Sequence, residues 1–339
     1  MRSSGAAVLG HACLLNLACL SSLACLTGMT GMVRAQAQDY PNRPVILVVP
    51  YTAGGGLDVL ARMLAQKLTE RLGKPFVVDN RPGAGTVIGA NSVAKAAPDG
   101  YTILLGTSSA FAINPTLHKS LPYDAGKDFM PVGLVSNAPF VLVVNPNEPV
   151  RSVADLIALA KSKPGQLSYG SAGPGAPSHL GMEILKSMTG MNVVHVPYRG
   201  ESPALADLVA GHIQMQFAEP TPALPLLRAG KVRALGLSAT TRLANAPEIA
   251  PLAEAGVPGF DFVSWQMIAA PRATPRDIVE KLHAEVGAVL ALPDIKAEYA
   301  RTGRIAVDYP TVDALQRYVR DEIIRLGRIV EQAGIARSQ

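Results

Sequence analysis

Past residue 25 the chain has no cysteine: Cys13, Cys19 and Cys25 all fall in its leading stretch. With that stretch removed no disulfide can form, so the folded part depends on its hydrophobic core alone. At about 300 residues it is long enough for two domains of ordinary size. Runs of one charge are missing too. The formal net charge is +5, and losing Arg2 and Arg34 lowers it to +3, spread thinly along the chain. A nucleic-acid or membrane-surface partner finds little support there. After residue 37 nothing approaches the roughly 18 consecutive apolar residues of a membrane span.

Catalytic sets are equally scarce. There is no Gly-x-Ser-x-Gly elbow and no Gly-Lys-Ser/Thr phosphate loop. Ser178 and His179 are adjacent and cannot serve each other as nucleophile and base. Gly83-x-Gly85-x-x-x-Gly89 follows a strand and opens a helix, but it is one residue too long for a dinucleotide fingerprint. His179 and Glu183 share a helix face and could hold a metal. The remaining histidines (His118, His195, His212, His283) lie at unhelpful spacings, so an ordinary surface pair is the preferred reading. No cofactor, metal or enzymatic activity is expected.

Residues 1–37 read as a secretory signal peptide. Arg2 is the lone charge before Arg34, an Ala- and Leu-rich run lies between them, and Ala35 and Ala37 offer small residues for cleavage. The interrupted apolar run argues against a retained anchor. Cys19 and Cys25, each preceded by Leu-Ala, also raise a lipoprotein site, though neither has the usual Leu three residues before it. The expectation is a periplasmic protein, cut near Ala35 or Ala37.

What is present begins at Val45-Ile46-Leu47-Val48-Val49, an uncharged run that reads as a strand buried on both faces. Pro50 stops it, Gly54-Gly55-Gly56 turns it, and Asp58 is a candidate N-cap for a helix over 59–72. Strand, glycine turn and helix N-terminus together make an anion site, although a tight turn also requires glycine for itself. Strands at 76–79 and 101–106 alternate with a helix over 86–96, which predicts a mostly parallel sheet. The loop Thr107-Ser108-Ser109 would line a crevice with the glycine turn. The middle of the chain repeats this plan. A strand at 141–144 precedes a helix opened by the capping box Ser152-x-x-Asp155. A strand at 167–170 leads to a second glycine turn, Ser171-Ala172-Gly173-Pro174-Gly175, and Ser178 is placed to cap the next helix. The alternation at 213–217 suits a strand with one wetter face, at the sheet edge. A strand from Trp265 and helices near 275–291 and 311–334 return to the first half. The fold class expected is α/β and two-lobed, with residues 38–140 and 265–339 in one lobe and 141–264 in the other.

Several ordered motifs carry a family resemblance. They are Tyr40-Pro41-Asn42-Arg43-Pro44, Pro50-Tyr51-x-x-Gly54-Gly55-x-x-Asp58-x-x-Ala61-Arg62, Asp79-Asn80-Arg81-Pro82-Gly83-Ala84-Gly85, Pro98-Asp99-Gly100-Tyr101-Thr102 and Val196-Pro197-Tyr198-Arg199-Gly200, with Ala229-Gly230-Lys231-Val232-Arg233-Ala234-Leu235 after them. From residue 40 to the end the chain resembles the Bug (TctC-type) substrate-binding proteins of tripartite tricarboxylate transporters. The resemblance implies a type II-like Venus-flytrap receptor that delivers a small organic carboxylate to membrane permease subunits, and a monomer. It implies ligand contacts from the loop Tyr51, Ala53, Gly54, Gly55, Gly56 with Asp58, and from Ser171, Ala172, Gly173 and Gly175 through backbone N–H groups. Ser108, Tyr198, Arg199 and Glu219 complete the candidate site. Arg199 is either a bidentate carboxylate ligand or a surface or interlobe residue; Tyr51 and Tyr198 either flank the ligand or cover the core.

The chain departs from the family where relatives carry Asp: Ala218 and Gln214 stand there instead, with Glu219-Pro220 following. The far end of the pocket is expected to be apolar, so that α-amino acids are poor ligands and a carboxylate without an ammonium binds better; Glu219 would restore an acceptor only by turning inward. A sensory protein partnering a membrane sensor kinase is the alternative role, and an exported enzyme the third.

Overall fold

The computed structural model describes residues 40–308 and 310–339. The signal-peptide assignment lies outside the described residues. Residues Arg43–Gln339 form one unit, described here.

The first sheet opens with β1 (Val45–Val49), which pairs in parallel with β2 (Phe76–Asn80) and β3 (Thr102–Thr107). Between them run α1 (Gly56–Leu72) and α2 (Val87–Ala94). A π-helical turn, Ser109–Ile113, continues into α3 (Asn114–Leu117). The ten-residue β4 (Phe129–Ala138) completes that half. β5 (Val141–Val144) starts the second sheet, followed by α4 (Val153–Ser162), β6 (Ser168–Ser171), α5 (Pro177–Thr189), β7 (Val194–Pro197), α6 (Glu201–Ala210), β8 (Met215–Ala218), α7 (Pro220–Arg228) and β9 (Arg233–Leu237). The chain then returns as β10 (Ser264–Pro271), α8 (Arg276–Leu290), α9 (Pro293–Thr302) and α10 (Val312–Gln332).

The strand orders are β2-β1-β3-β10-β4 and β7-β6-β8-β5-β9. β10 is antiparallel to both its neighbours, and so is β5, so each sheet has one reversed strand among strands that otherwise run one way. That is the α/β, mostly parallel, two-lobed arrangement expected. The reversed strands are the two that follow the crossings between sheets, since a strand entered from the other sheet arrives from the opposite end.

Local chemistry accounts for the helix starts. At α4 the Ser152 side chain accepts from the Asp155 N–H while Asp155 returns a bond to the Ser152 N–H, as the capping-box pattern predicts. α1 differs: it begins at Gly56 with Gly55 as its N-cap, and Asp58 sits inside its first turn, not at the cap. Likewise α5 begins at Pro177, after Ala176, so Ser178 is helical and not a cap. β8 is a correction of another kind. It lies in the centre of its sheet, wholly buried, because Phe217 packs on Phe260 at 5.8 Å on one face while Ala218 joins an apolar cluster on the other. α10 packs back on the first lobe as expected: Trp265 stacks on Phe111 at 5.8 Å and donates from Nε1 to Glu322 on α10 at 2.6 Å. α9 and the segment after it, which includes Arg304, have no counterpart in the sequence reading.

Candidate functional site

Four helix N-termini meet at one cavity of about 30 Å³, space for a water or two. The first lobe lines it with Tyr51, Thr52, Gly55, Gly56, Leu57 and Thr107. Phe140, Ala172, Pro177, Ser178, Glu201 and Glu219 line it from the other side. Each helix start brings the partial positive charge of its unpaired N–H groups. α1 and α5 bring no acid of their own to the cavity, but the first N–H of α1, that of Gly56, is taken by Glu201. The starts of α6 and α7 carry acids, Glu201 as the first helical residue and Glu219 as the N-cap.

The first glycine turn is held from outside the cavity. The Gly54 N–H donates to Asp58 Oδ2 at 3.0 Å, and Asp58 also takes Arg62 Nε and Asn80 Nδ2, each at 3.0 Å. Burial alone would raise the Asp58 pKa; the bonds from Arg62, Gly54 and Asn80 outweigh it and hold the carboxylate below its usual range. Asn80 Nδ2 also reaches the Tyr51 carbonyl at 3.1 Å. Asp58 therefore shapes the turn and stays out of the cavity. The Tyr51 hydroxyl faces Thr107 Oγ1 at 3.1 Å, and burial pushes its pKa up to about 12.

The second turn also spends its N–H groups internally. Ala172 donates to Ser178 Oγ, Gly173 to Ser171 Oγ and Gly175 to His179 Nδ1, all at 3.1 Å. In this structure those three N–H groups are not turned to a ligand, which revises the expectation that they would grip a carboxylate. Behind the turn the rings of Tyr169, His195 and His179 form a stack, at 4.8 Å and then 4.1 Å between centroids. Burial lowers the His179 pKa to about 4, with Lys186 adding to the effect. His195 falls to about 3, through burial and then His179. Both rings are neutral at neutral pH, which leaves His179 Nδ1 free to accept. Glu183 takes the Tyr169 hydroxyl and Lys186 Nζ on one oxygen. His179 and Glu183 are thus buried and separately committed, neither a surface pair nor a shared metal site.

The acidic side centres on Arg304, which is buried. Its Nη1 donates to Gln266 Oε1 at 2.5 Å; its Nη2 donates to the Gly56 carbonyl and meets Glu219 Oε2 at 3.2 Å. Glu201 accepts the N–H groups of Glu219 and Gly56, one from each lobe. Burial pushes the Glu201 pKa well above its ordinary value and Glu219 adds to it, while the N–H donors and Arg304 pull the other way. Burial also raises Glu219, against Arg304. Burial and the neighbouring Glu219 carboxylate thus favour the protonated form of Glu201.

Of the residues proposed from sequence, Tyr51, Gly55, Gly56, Ala172 and Glu219 line the cavity. Glu219 does turn inward, so the far end is acidic and the apolar end anticipated there is not found. Ala53 and Gly54 are exposed on the outer side of their turn. Ser108 bonds Ser264 at 3.0 Å, and Ser171 bonds His195 at 2.6 Å. Gly173 lies 3.6 Å (from its ideal Cβ) from the Gly85 nitrogen, and the Gly175 carbonyl accepts from Ser109 at 2.6 Å, so both serve lobe contact. The Tyr198 hydroxyl donates to Asp207 at 2.6 Å, away from the cavity, and Arg199 is exposed. Gln214 accepts from Ser168 within the second sheet and does not reach the pocket. Thr107 lines the cavity as the loop 107–109 was expected to, and Thr52 belongs to the loop 51–56; Phe140, Ser178, Glu201 and Arg304 were not foreseen. An acid on the first turn of a helix, as at Glu201, reads as ordinary dipole compensation. Arg304 is 85 residues from Glu219, so no local pattern joins them.

Known proteins share this sequence pattern and fold. A family model described as "Tripartite tricarboxylate transporter family receptor" matches residues 60–335. Protein BugT of Bordetella pertussis is 36% identical over 299 residues, 88% of this chain and 91% of that one. A solved R. palustris protein with adipate is 39% identical, with a TM-score of 0.85 over 88% of this chain and 99% of its own. MatC from Rhodopseudomonas palustris, with bound malate, is 32% identical, with a TM-score of 0.82 over 86% and 100%. The chain belongs to the tripartite tricarboxylate transporter family receptors, the Bug-type solute-binding proteins.

Proposed function

We propose that this protein is a periplasmic receptor that captures a small organic carboxylate between its lobes and delivers it to the permease subunits of a tripartite tricarboxylate-type transporter. One observation carries this reading: the N-termini of α1 and α5 reach the same cavity from opposite lobes, beside the hydroxyls of Tyr51, Thr52 and Ser178. With the Gly56 N–H already taken by Glu201, the remaining oriented N–H groups of the two helix starts and these hydroxyls suit a single carboxylate. The adipate and malate held by two relatives support the class of ligand. In this reading residues 1–37 are the signal peptide, the lobes are 38–140 with 265–339 and 141–264, and the mature protein acts as a monomer without catalysis.

A cavity of about 30 Å³ is smaller than such a solute, so entry requires the lobes to part. A thermal-shift screen of the mature protein against mono-, di- and tricarboxylates tests the reading. A ligand at 100 times its dissociation constant stabilises the fold by roughly 2.7 kcal/mol. Small-angle scattering with that ligand should show compaction. No carboxylate that stabilises the protein would end this assignment.

A further inference from the structure

The two lobes meet at Gly56, and they meet there through their own side chains. Glu201, the first residue of α6, accepts the Gly56 N–H that opens α1, and its Oε1 takes the N–H of Glu219 at the start of α7. The Gly56 carbonyl accepts from Arg304 Nη2, which also meets Glu219 Oε2 at 3.2 Å. Gly56 and Arg304 belong to the chain around the first sheet, Glu201 and Glu219 to the chain around the second. The Glu201–Gly56 and Glu219–Arg304 contacts therefore both cross the cleft, while Glu201–Glu219 and Arg304–Gly56 brace each side.

The backbone is shaped for this approach. An added Cβ at Gly56 would stand 1.9 Å from Glu219 Oε2. One at Gly200, beside Glu201, would stand 2.0 Å from Thr52 Oγ1 and 3.2 Å from the Thr52 nitrogen. Gly200 has φ 172°, an extended conformation open to any residue, so glycine at that position serves the fit between lobes and not the backbone. The two glycines let elements of opposite lobes touch with a cavity of only about 30 Å³ between them, too small for an organic carboxylate.

We propose that Glu201 is an autoinhibitory clasp: its carboxyl group takes the place of a solute carboxylate at the start of α1 and, with the Arg304–Glu219 pair, holds the lobes closed on each other until a solute displaces it. This rests on the receptor reading above and adds a regulation to it. The clasp is built to yield. Burying Glu201, Glu219 and Arg304 has a desolvation cost that their mutual contacts only partly offset, and parting the lobes returns all three to water. The self-closed and solute-bound forms then compete, and the apparent affinity is the intrinsic one multiplied by the fraction of protein that is open. The approach of Gly85 to Pro174 lies outside the cavity lining, so it forms in either closed state.

Small-angle scattering and calorimetry on the mature protein test this, with circular dichroism to confirm folding. Glu201→Ala removes the clasp; Gly200→Ala blocks its seating and leaves Glu201 in place. Without solute, both variants should have a larger radius of gyration than the unaltered protein. With the best carboxylate from the thermal-shift screen, Glu201→Ala should bind at least tenfold more tightly than the unaltered protein. A residue that merely supports the fold or the bound form would give the reverse, since its loss weakens binding. An unchanged radius in Glu201→Ala overturns the inference and leaves the receptor reading standing, and so does opening without a gain in affinity. Should Glu201→Ala fail to fold, the radius of Gly200→Ala decides in the same way. If no carboxylate binds either the unaltered protein or Glu201→Ala, both readings fall.

Discussion

Gly85→Ala tests whether the contact between the two glycine-bearing loops limits binding. Gly85 has φ +58°, so alanine there adopts a left-handed conformation that costs roughly 1 kcal/mol with the lobes open or closed. The steric term is different, because it exists only when the lobes meet. An added Cβ would stand 1.7 Å from the Pro174 carbonyl oxygen, against 3.4 Å for ordinary contact, so the gap must widen by about 1.7 Å (3.4 − 1.7). Neither side can give easily. Asn114 Nδ2 pins the first loop through the Gly85 carbonyl at 3.0 Å and Thr86 Oγ1 at 3.2 Å. Ser109 holds the second turn through the Gly175 carbonyl at 2.6 Å. Overpacking of this sort costs about 1–3 kcal/mol, and 2 kcal/mol on the closed form alone lowers affinity about 30-fold. Gly73→Ala is the control, since Gly73 has φ +70° and a Cβ there meets nothing within 4 Å. Calorimetry with the best carboxylate from the screen should show Gly73→Ala binding normally and Gly85→Ala binding 10- to 100-fold more weakly, with similar small losses in Tm. Equal affinity in the two variants would refute the idea that binding depends on this approach.

Gly55→Val should fold normally and lose binding by more than tenfold, because Gly55 has φ −77° and its Cβ direction is open (3.7 Å to Thr52 O) while the valine methyls enter the cavity; a folded Gly55→Val protein with unchanged affinity would move the site elsewhere. The buried histidines predict acid sensitivity. With folded pKa values of about 4 and about 3 against an ordinary 6.5, the unfolded chain binds protons first, so stability is lost as pH falls below 6.5, by about 2 kcal/mol per histidine at pH 5. The raised acids Glu201 and Glu219 run the other way, their contribution being lost as pH rises through their folded pKa. Denaturant titrations at pH 7 and pH 5 separate the two: His195→Gln should remove about 2 kcal/mol of the acid loss, and an unaltered pH slope in that variant would contradict the buried neutral stack.

The fold was legible because its signals are local and repeated. An uncharged run such as 45–49 can only be a strand buried on both faces, and β1 is buried along nearly its whole length. The Ser152 box was read from four residues and reappears as the bonds it requires. The errors share a physical origin in tertiary context. Asp58 and Ser178 are good capping residues in the right neighbourhood, but each found a better partner: Asp58 the Gly54 N–H together with Arg62 and Asn80, Ser178 the Ala172 N–H. The alternation at 213–217 suggested an edge, yet the outward-reading Gln216 is buried in the central strand. Period alone does not distinguish a wet face from a second core.

The site was half legible for a related reason. Glycine turns declare themselves in sequence, and both turns do border the cavity through Gly55, Gly56 and Ala172. What the turns do with their N–H groups depends on Asp58, Ser171, Ser178 and His179, whose side chains a linear reading cannot aim. Chemistry at the far end depends on still more distant pieces. Glu201 follows β7, Glu219 caps α7, and Arg304 comes from beyond α9; each is an ordinary charged residue in its own segment. Only when both lobes and the returning chain are assembled do Arg304 and Glu219 pair against the Gly56 backbone, with Glu201 on the Gly56 N–H.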